Sequence, residues 1–259
     1  MKKNTKVLIA NWKMAPETPE IAHEIFGAVK RKMAKTKRVE VIICPPYLYV
    51  ENFVQKVGNG RRFSIGAQDV FWETGSQAFT GQVNAPMLKA AGAKYVIIGH
   101  SERRQFGETD SMVNKKVLSA LKAGLTPILC VGEKERDPQI NYLEFLKNQI
   151  KSALLGVKRA NLANLIIAYE PVWAISTFQK GSVAPSDLHE AIIFVRKALA
   201  DLYDRESAMA LRVVYGGSVN EENAEALLKG GEADGLLVGK ASLNPETFGT
   251  LIKIADSFK

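Results

Sequence analysis

The sequence predicts an α/β fold of one particular kind, a closed, eight-stranded parallel (β/α)8 barrel, and three observations carry that expectation. Eight short apolar runs rich in Val, Ile and Leu recur along the chain, segments with helical spacing separate them, and no linker divides the 259 residues. Runs that are apolar throughout fit parallel strands covered on both faces, whereas half-exposed antiparallel strands alternate. Alternating strands and helices join through right-handed crossovers, and about 250 residues is the usual size of eight such units closed into a barrel. An open doubly wound sheet is the alternative. With no Pro/Gly/Ser-rich tract and no shift in composition, residues 1–259 read as a single domain.

Taken in order, the strands are expected at 6–13 (KVLIANWK), 39–45 (VEVIICP), 63–68 (FSIGAQ) and 95–100 (YVIIGH), then at 126–133 (TPILCVGE), 164–171 (NLIIAYEP), 211–217 (LRVVYGG) and 235–240 (GLLVGK). Between them, Ile21, Ile25, Phe26, Val29 and Met33 form one helical stripe. Leu188, Ala191, Ile192, Val195, Ala198, Leu199 and Leu202 form another. The last helix is expected to be capped by Asn244, to carry Pro245 in its first turn, and to bury Phe248, Leu251, Ile252 and Ala255. Gly230 and Gly231 stop the helix that begins after Asn220.

Composition excludes several classes. A hydrophobic content of 46% is too high for disorder, and no run approaches the roughly 20 apolar residues of a membrane span. The N-terminal apolar run, Val7 to Ala10, is too short for a signal-peptide core, so a cytoplasmic protein is expected. Cys44 and Cys130 then read as packed thiols, with no His or Cys spacing for a metal. The net charge of +8 is concentrated in KRKMAKTKR at 30–38. This run reads as the solvated end of the first helix and the loop into the second strand; a nucleic-acid-binding module is the competing reading.

In a parallel barrel, reacting groups sit where strands end. Val7, Ile9, Asn11 and Lys13 share one strand parity, His100 is in phase with Val96 and Ile98, and Glu170 is in phase with Ile166 and Ala168. If these sets face inward, a lysine, a histidine and a glutamate converge on one cavity. A carboxylate closing a hydrophobic strand, as Glu170 does, requires a partner or a function. Gly216, Gly217 and Ser218 follow the seventh strand, and Gly239 and Lys240 the eighth, where barrels commonly bind phosphate through backbone N–H groups.

These residues resemble the triosephosphate isomerase family, through NWKM at 11–14, AFTG at 78–81, YVIIGHSERR at 95–104, CVGE at 130–133, YEPVWAI at 169–175 and YGGSV at 215–219. The resemblance implies a TIM barrel that interconverts dihydroxyacetone phosphate and D-glyceraldehyde 3-phosphate in glycolysis and gluconeogenesis, with no metal or organic cofactor. It implies Glu170 as the base, neutral His100 as the electrophile and proton shuttle, Lys13 as the stabiliser of negative charge, Asn11 as an orienting group, and Glu102 as a positioning or relaying group. Phosphate would lie near Asn11, Lys13, Ser176, Ser218, Gly239 and Lys240. Ile175 in a lid and Leu237 in the eighth strand would clamp the carboxylate with apolar surface. A homodimer is implied, with the loop carrying Thr80 reaching the partner subunit.

The chain departs from the family pattern in three places. AISTFQKGSVAPSD at 174–187 has Ser176 and Phe178 where glycines are usual and is about two residues longer, so altered lid kinetics are expected. Gln77 and Gln82 replace a usual glycine and glutamate, and the second change removes an ion pair to the arginine matching Arg103. Lys240 replaces a frequent glycine but keeps its backbone N–H. An aldolase using Lys13 as a Schiff-base amine is a second enzyme reading.

Overall fold

The sheet of this protein closes on itself: each strand pairs in parallel with its sequence neighbours, and the first also pairs with the eighth, Val7 lying opposite Gly235. The computed structural model describes residues 5–58, 60, 62–75, 78–136, 142–175 and 183–258. The strands are β1 (Val7–Asn11), β2 (Glu40–Cys44), β3 (Phe63–Ala67), β4 (Tyr95–Ile98), β5 (Thr126–Val131), β6 (Ile166–Tyr169), β7 (Arg212–Tyr215) and β8 (Gly235–Val238). The helices are α1 (Pro19–Met33), α2 (Tyr47–Val57), α3 (Ala85–Ala90), α4 (Ser101–Gln105), α5 (Asp110–Lys122), α6 (Tyr142–Ala153), α7 (Pro185–Leu202), α8 (Arg205–Ala210), α9 (Ala224–Lys229) and α10 (Pro245–Ser257). Among the described residues, no helix is long and apolar enough to cross a membrane.

Strand alternation sorts the apolar residues into two layers. Val7, Ile9, Ile42, Cys44, Ile97, Ile128, Cys130, Ile166, Ala168, Val214 and Leu237 fill the barrel interior. Leu8, Ala10, Val41, Ile43, Val96, Ile98, Leu129, Ile167, Val213, Leu236 and Val238 pack outward against the helices. Both cysteines are free and buried, as the apolar runs around them imply.

The strands stop one or two residues before their expected ends. Lys13 turns out of the ladder at φ 53° and Gly99 at φ 76°, while Pro45 and Pro171 have no N–H to extend it. One phase assignment is corrected. Val96 and Ile98 face the helix layer, and Ile97 is the inward residue of β4. His100 nevertheless enters the barrel mouth, because the left-handed turn at Gly99 breaks the alternation after Ile98.

The helices bury their expected faces with two exceptions. Ala22, Ile25, Phe26, Val29 and Met33 are the buried face of α1. Ile21 lies roughly 100° round from the centre of that stripe and is 47% exposed. Leu202, in the last turn of α7, is 37% exposed for want of a facing element. Asn244 caps α10 by accepting from the N–H groups of Glu246 and Thr247, and Phe248, Leu251, Ile252 and Ala255 are buried beneath it. The helix expected after Asn220 starts at Ala224, with Gly230 at its end.

The basic run has a structural explanation. Lys30, Arg31 and Lys32 occupy the last turn of α1, where cations suit the helix dipole. Beyond it, the Asp256 carboxylate accepts from the backbone N–H groups of Lys37, Arg38 and Val39 at 2.6–3.1 Å, shaping the loop that enters β2. This loop is at the N-terminal end of the barrel, opposite the strand ends that carry the site.

Candidate active site

A cavity of about 390 Å³ opens at the C-terminal ends of the strands and brings together Asn11, Lys13, His100, Glu170, Ile175, Ser218, Leu237, Gly239 and Lys240. Four βα loops deliver the charged and imidazole groups, those after β1, β4, β6 and β8. Glu102, in α4, reaches the same site through Lys13 rather than lining the cavity. Thr80 is exposed and does not line the cavity of its own subunit. Ser176, Phe178 and Gln77 lie outside the described residues.

Glu170 is almost fully buried and both its oxygens are engaged. Oε1 lies 3.0 Å from His100 Nε2, and Oε2 accepts from the Ser101 N–H at 2.9 Å. The backbone there is held closely: the Glu170 N–H donates to the Val131 carbonyl at 2.8 Å. A Cβ at Gly132 would collide with the Glu170 carbonyl, so β5 approaches only with glycine at that point. Leu237 and the Glu170 stem both crowd Gly216, where a Cβ would meet Glu170 Cγ and Leu237 Cδ2 at 3.5 Å alike. Apolar surface of this kind strengthens a carboxylate as a base once its polar partners are displaced.

Burial weighs against charge on both His100 and Glu170, but each stabilises the other. The Glu170 charge and hydrogen bond, with help from Glu102, raise the imidazole above its ordinary value of 6.5, against the opposing pull of Lys13. The ring, the Ser101 N–H and Lys13 hold the Glu170 carboxyl below its ordinary 4.5 despite its burial. The Glu102 N–H donates to His100 Nδ1 at 3.2 Å. An imidazolium has no lone pair there to accept it, so this bond serves the ring in its neutral form, with the hydrogen on Nε2 facing Glu170.

Lys13 is placed by its own strained backbone. Its N–H donates to Asn11 Oδ1 at 3.0 Å, and its carbonyl accepts from Gln68 Nε2 at 2.8 Å while φ stands at 53°. Its Nζ lies 2.6 Å from Glu102 Oε1, and its stem runs beside Gly239, where a Cβ would come within 3.2 Å of Lys13 Cε. The ammonium is thus held between the imidazole side and the glycine turn after β8.

At that turn, Gly239 precedes the short 3₁₀ segment Lys240–Leu243, which opens towards the cavity. Ser218 differs from expectation: its backbone N–H donates to the Ala174 carbonyl at 3.2 Å, tying the glycine turn after β7 to the turn after Glu170. It is available to an anion only if that bond opens. Three contributors escaped the sequence reading. Asn244 and Thr247 line the cavity from the start of α10, where the capping signal at Asn244 was visible but its direction was not. Gln68 gave no local signal, because its role exists only once β3 lies beside β2 and the Lys13 turn.

Arg103, whose usual acidic partner is replaced by Gln82, is paired within its own chain, Nε lying 3.0 Å from Asp69 Oδ2. Asp69 also meets the buried Lys116 at 2.6 Å, and Lys116 pairs with Glu108.

A carboxylate, an imidazole and an ammonium converging at the strand C-termini belong to a (β/α)8-barrel enzyme built for acid–base chemistry rather than to a barrel used as a scaffold. A family model described as triosephosphate isomerase matches residues 6–255. The triosephosphate isomerase of Moorella thermoacetica is 43% identical over 248 residues, covering 95% of this chain and 97% of the relative. That of Thermoanaerobacter pseudethanolicus is 44% identical over 251 residues, covering 95% and 98%. That of Dictyoglomus thermophilum is 41% identical over 255 residues, covering 96% and 98%. The chain belongs to the triosephosphate isomerase family.

Proposed function

We propose that this chain interconverts dihydroxyacetone phosphate and D-glyceraldehyde 3-phosphate by proton transfer through an enediolate. The observation that carries the mechanism is the buried Glu170–His100 contact at 3.0 Å, in the same cavity as Lys13. Substrate entering between these two groups takes the place of that contact. Glu170 then removes a proton from the carbon beside the carbonyl, while His100 Nε2–H donates to the carbonyl oxygen as negative charge develops there. His100 recovers a proton from the neighbouring hydroxyl, and Glu170 returns its proton to the adjacent carbon, so the atoms balance with no external acid or base. Donors already in place for the enediolate oxygens, Nε2–H and the Lys13 ammonium, supply the main stabilisation. Gly239 and Lys240 hold the phosphate, joined by Ser218 once its N–H leaves the Ala174 carbonyl, and Asn11 orients the ligand.

Ile175 and Leu237 desolvate the carboxylate, and Ser176, outside the described residues, is a further phosphate contact by its match to the family pattern. The active form is a homodimer whose Thr80 loop reaches the partner. Met14, Leu48 and Phe106, all more than 80% exposed in the isolated chain, supply apolar surface for such a contact. The setting is glycolysis and gluconeogenesis in the cytoplasm, with which two free thiols agree. The Schiff-base reading finds no support, since Lys13 Nζ is engaged by a carboxylate rather than presented as a nucleophile.

Turnover of D-glyceraldehyde 3-phosphate beside the Glu170→Gln variant tests the proposal. A loss of roughly 10²- to 10⁴-fold in kcat with folding retained is expected of a positioned base. Full activity in the variant removes Glu170 from that role.

A further inference from the structure

Arg136 stands in the loop after β5, outside the catalytic cavity, and touches both flanks of the segment that follows Glu170. Its guanidinium carbon lies 5.6 Å from the centre of the Trp173 ring and 4.6 Å from that of Tyr142. On one flank its Nε is 3.5 Å from Glu133 Oε1. On the other, Nη1 is 3.3 Å from Asp187 Oδ2 and Nη2 donates to the Asp187 carbonyl at 3.4 Å. Trp173 precedes residues 176–182, and Asp187 follows them in the first turn of α7. One planar cation therefore joins two stretches of chain that lie on either side of that segment.

Glu133 carries the link onward to the base. Its side chain is 2% exposed, and Oε1 accepts from the Tyr169 hydroxyl at 2.8 Å and from Trp173 Nε1 at 2.9 Å. Its backbone carbonyl accepts from the Val172 N–H at 2.9 Å. Glu133 thus holds the residue before Glu170 and the turn after it. A buried carboxylate in this place requires a cation to offset its desolvation. Arginine suits the place because its flat fork lies against aromatic rings while reaching two acidic partners, which a lysine ammonium cannot do at once.

We propose that Arg136 is a positioning residue for Glu170, joining Glu133 and Trp173 to Asp187 and so fixing the turn at 171–175 that aims the Glu170 carboxylate and Ile175 into the cavity. This rests on the reading of Glu170 as the base. The phosphate groups after β8, Gly239 and Lys240, make none of these contacts, and the one link from the turn to the β7 loop is the Ala174 carbonyl on the Ser218 N–H. Loss of Arg136 therefore lowers kcat well beyond any change in phosphate affinity.

The test is steady-state kinetics of Arg136→Gln, Arg136→Lys and Asp187→Asn, with inorganic phosphate as a competitive probe. A misplacement of about 1 Å at a reacting group costs up to about 100-fold, so Arg136→Gln is expected to lose about 10- to 100-fold in kcat with phosphate inhibition within twofold. Arg136→Lys recovers only part, and Asp187→Asn adds nothing to Arg136→Gln, because both break the same link. A kcat within twofold of the unaltered enzyme overturns the proposal, as does a parallel loss of kcat and phosphate affinity. If Arg136→Gln does not fold, the same two readouts on Arg136→Lys decide. Loss of turnover in Glu170→Gln but not in the Arg136 variants defeats this proposal alone, whereas full activity in Glu170→Gln defeats the reading beneath it.

Discussion

The two ends of the barrel both carry buried charge and both enclose a cavity, yet only one is arranged for chemistry. The cavity at the N-terminal end, near Glu40, Tyr95, Arg212 and Asp234, is the larger, about 460 Å³ against 390 Å³. Its charges are closed among themselves. Arg212 makes a two-pronged contact with Glu40 at 2.7 and 2.9 Å, and Arg196 meets Asp234 at 2.7 Å while Asp234 also accepts from the Val213 N–H. At the C-terminal end, Glu170 and His100 satisfy each other across a space that a ligand can enter. Size does not pick out the reactive cavity, since a third, of about 860 Å³ among the loops after β4, β5 and β6, also exceeds it. A charge pair whose partners lie in one cavity wall is stable structure; a pair that a ligand can separate is machinery held ready.

Variants at the two ends sharpen this contrast. The largest effect belongs to Glu170→Gln, where the loss of turnover far exceeds any loss of thermal stability. Arg212→Ala should do the reverse. It leaves the partly buried Glu40 carboxylate without its two donors, costing about 1–3 kcal/mol in denaturant unfolding, with kcat within twofold. A large fall in kcat for Arg212→Ala would erase the distinction between the ends.

A smaller effect concerns pH. His100 is raised above its ordinary 6.5 and Glu170 is held below its ordinary 4.5. The raised histidine adds stability that is present below 6.5 and is lost as pH rises through its folded-state titration. The depressed carboxylate adds stability that is present above 4.5 and is lost as pH falls through its own. The stability difference between the unaltered protein and Glu170→Gln should therefore be widest between these values and narrow on either side. By NMR, His100 should titrate lower in Glu170→Gln, because burial and Lys13 then act without the carboxylate; an unchanged or higher midpoint would show that Glu170 does not set it. The smallest effect is expected from neutralising Lys35, Lys37 and Arg38 together. These residues lie at the far end of the barrel, so kcat/KM and its salt dependence should hardly change. A marked loss would mean that the basic run steers substrate after all.

Much of the site was legible because strand ends are marked by composition. Asn11, Glu170 and Gly239 each follow an apolar run directly, with Lys13 two residues beyond Asn11 in the same strand parity, and the run supplies both the direction and the burial. His100 was found as the end of the fourth apolar run while its phase was misread, since one glycine turn after Ile98 reversed the side. Ser218 lines the cavity, but its N–H is bound to the Ala174 carbonyl. Gln68 and Thr247 were invisible for a different reason: neither lies in a motif, and each matters only through a neighbour far away in the chain.

What the sequence determined by itself is the order of the units, the apolar layers and the identity of the groups at the strand ends, because those follow from local periodicity and from the rule that loops after parallel strands share one face. What only the tertiary structure decided is which of those groups touch. The 3.0 Å contact between Glu170 and His100, the hold of Gln68 on a strained Lys13, and the reach of Arg136 from Trp173 to Asp187 join segments 37 to 70 residues apart, as does the Ser101 N–H on Glu170. No local pattern records such distances, since they are fixed by the closure of the barrel and the packing of its loops.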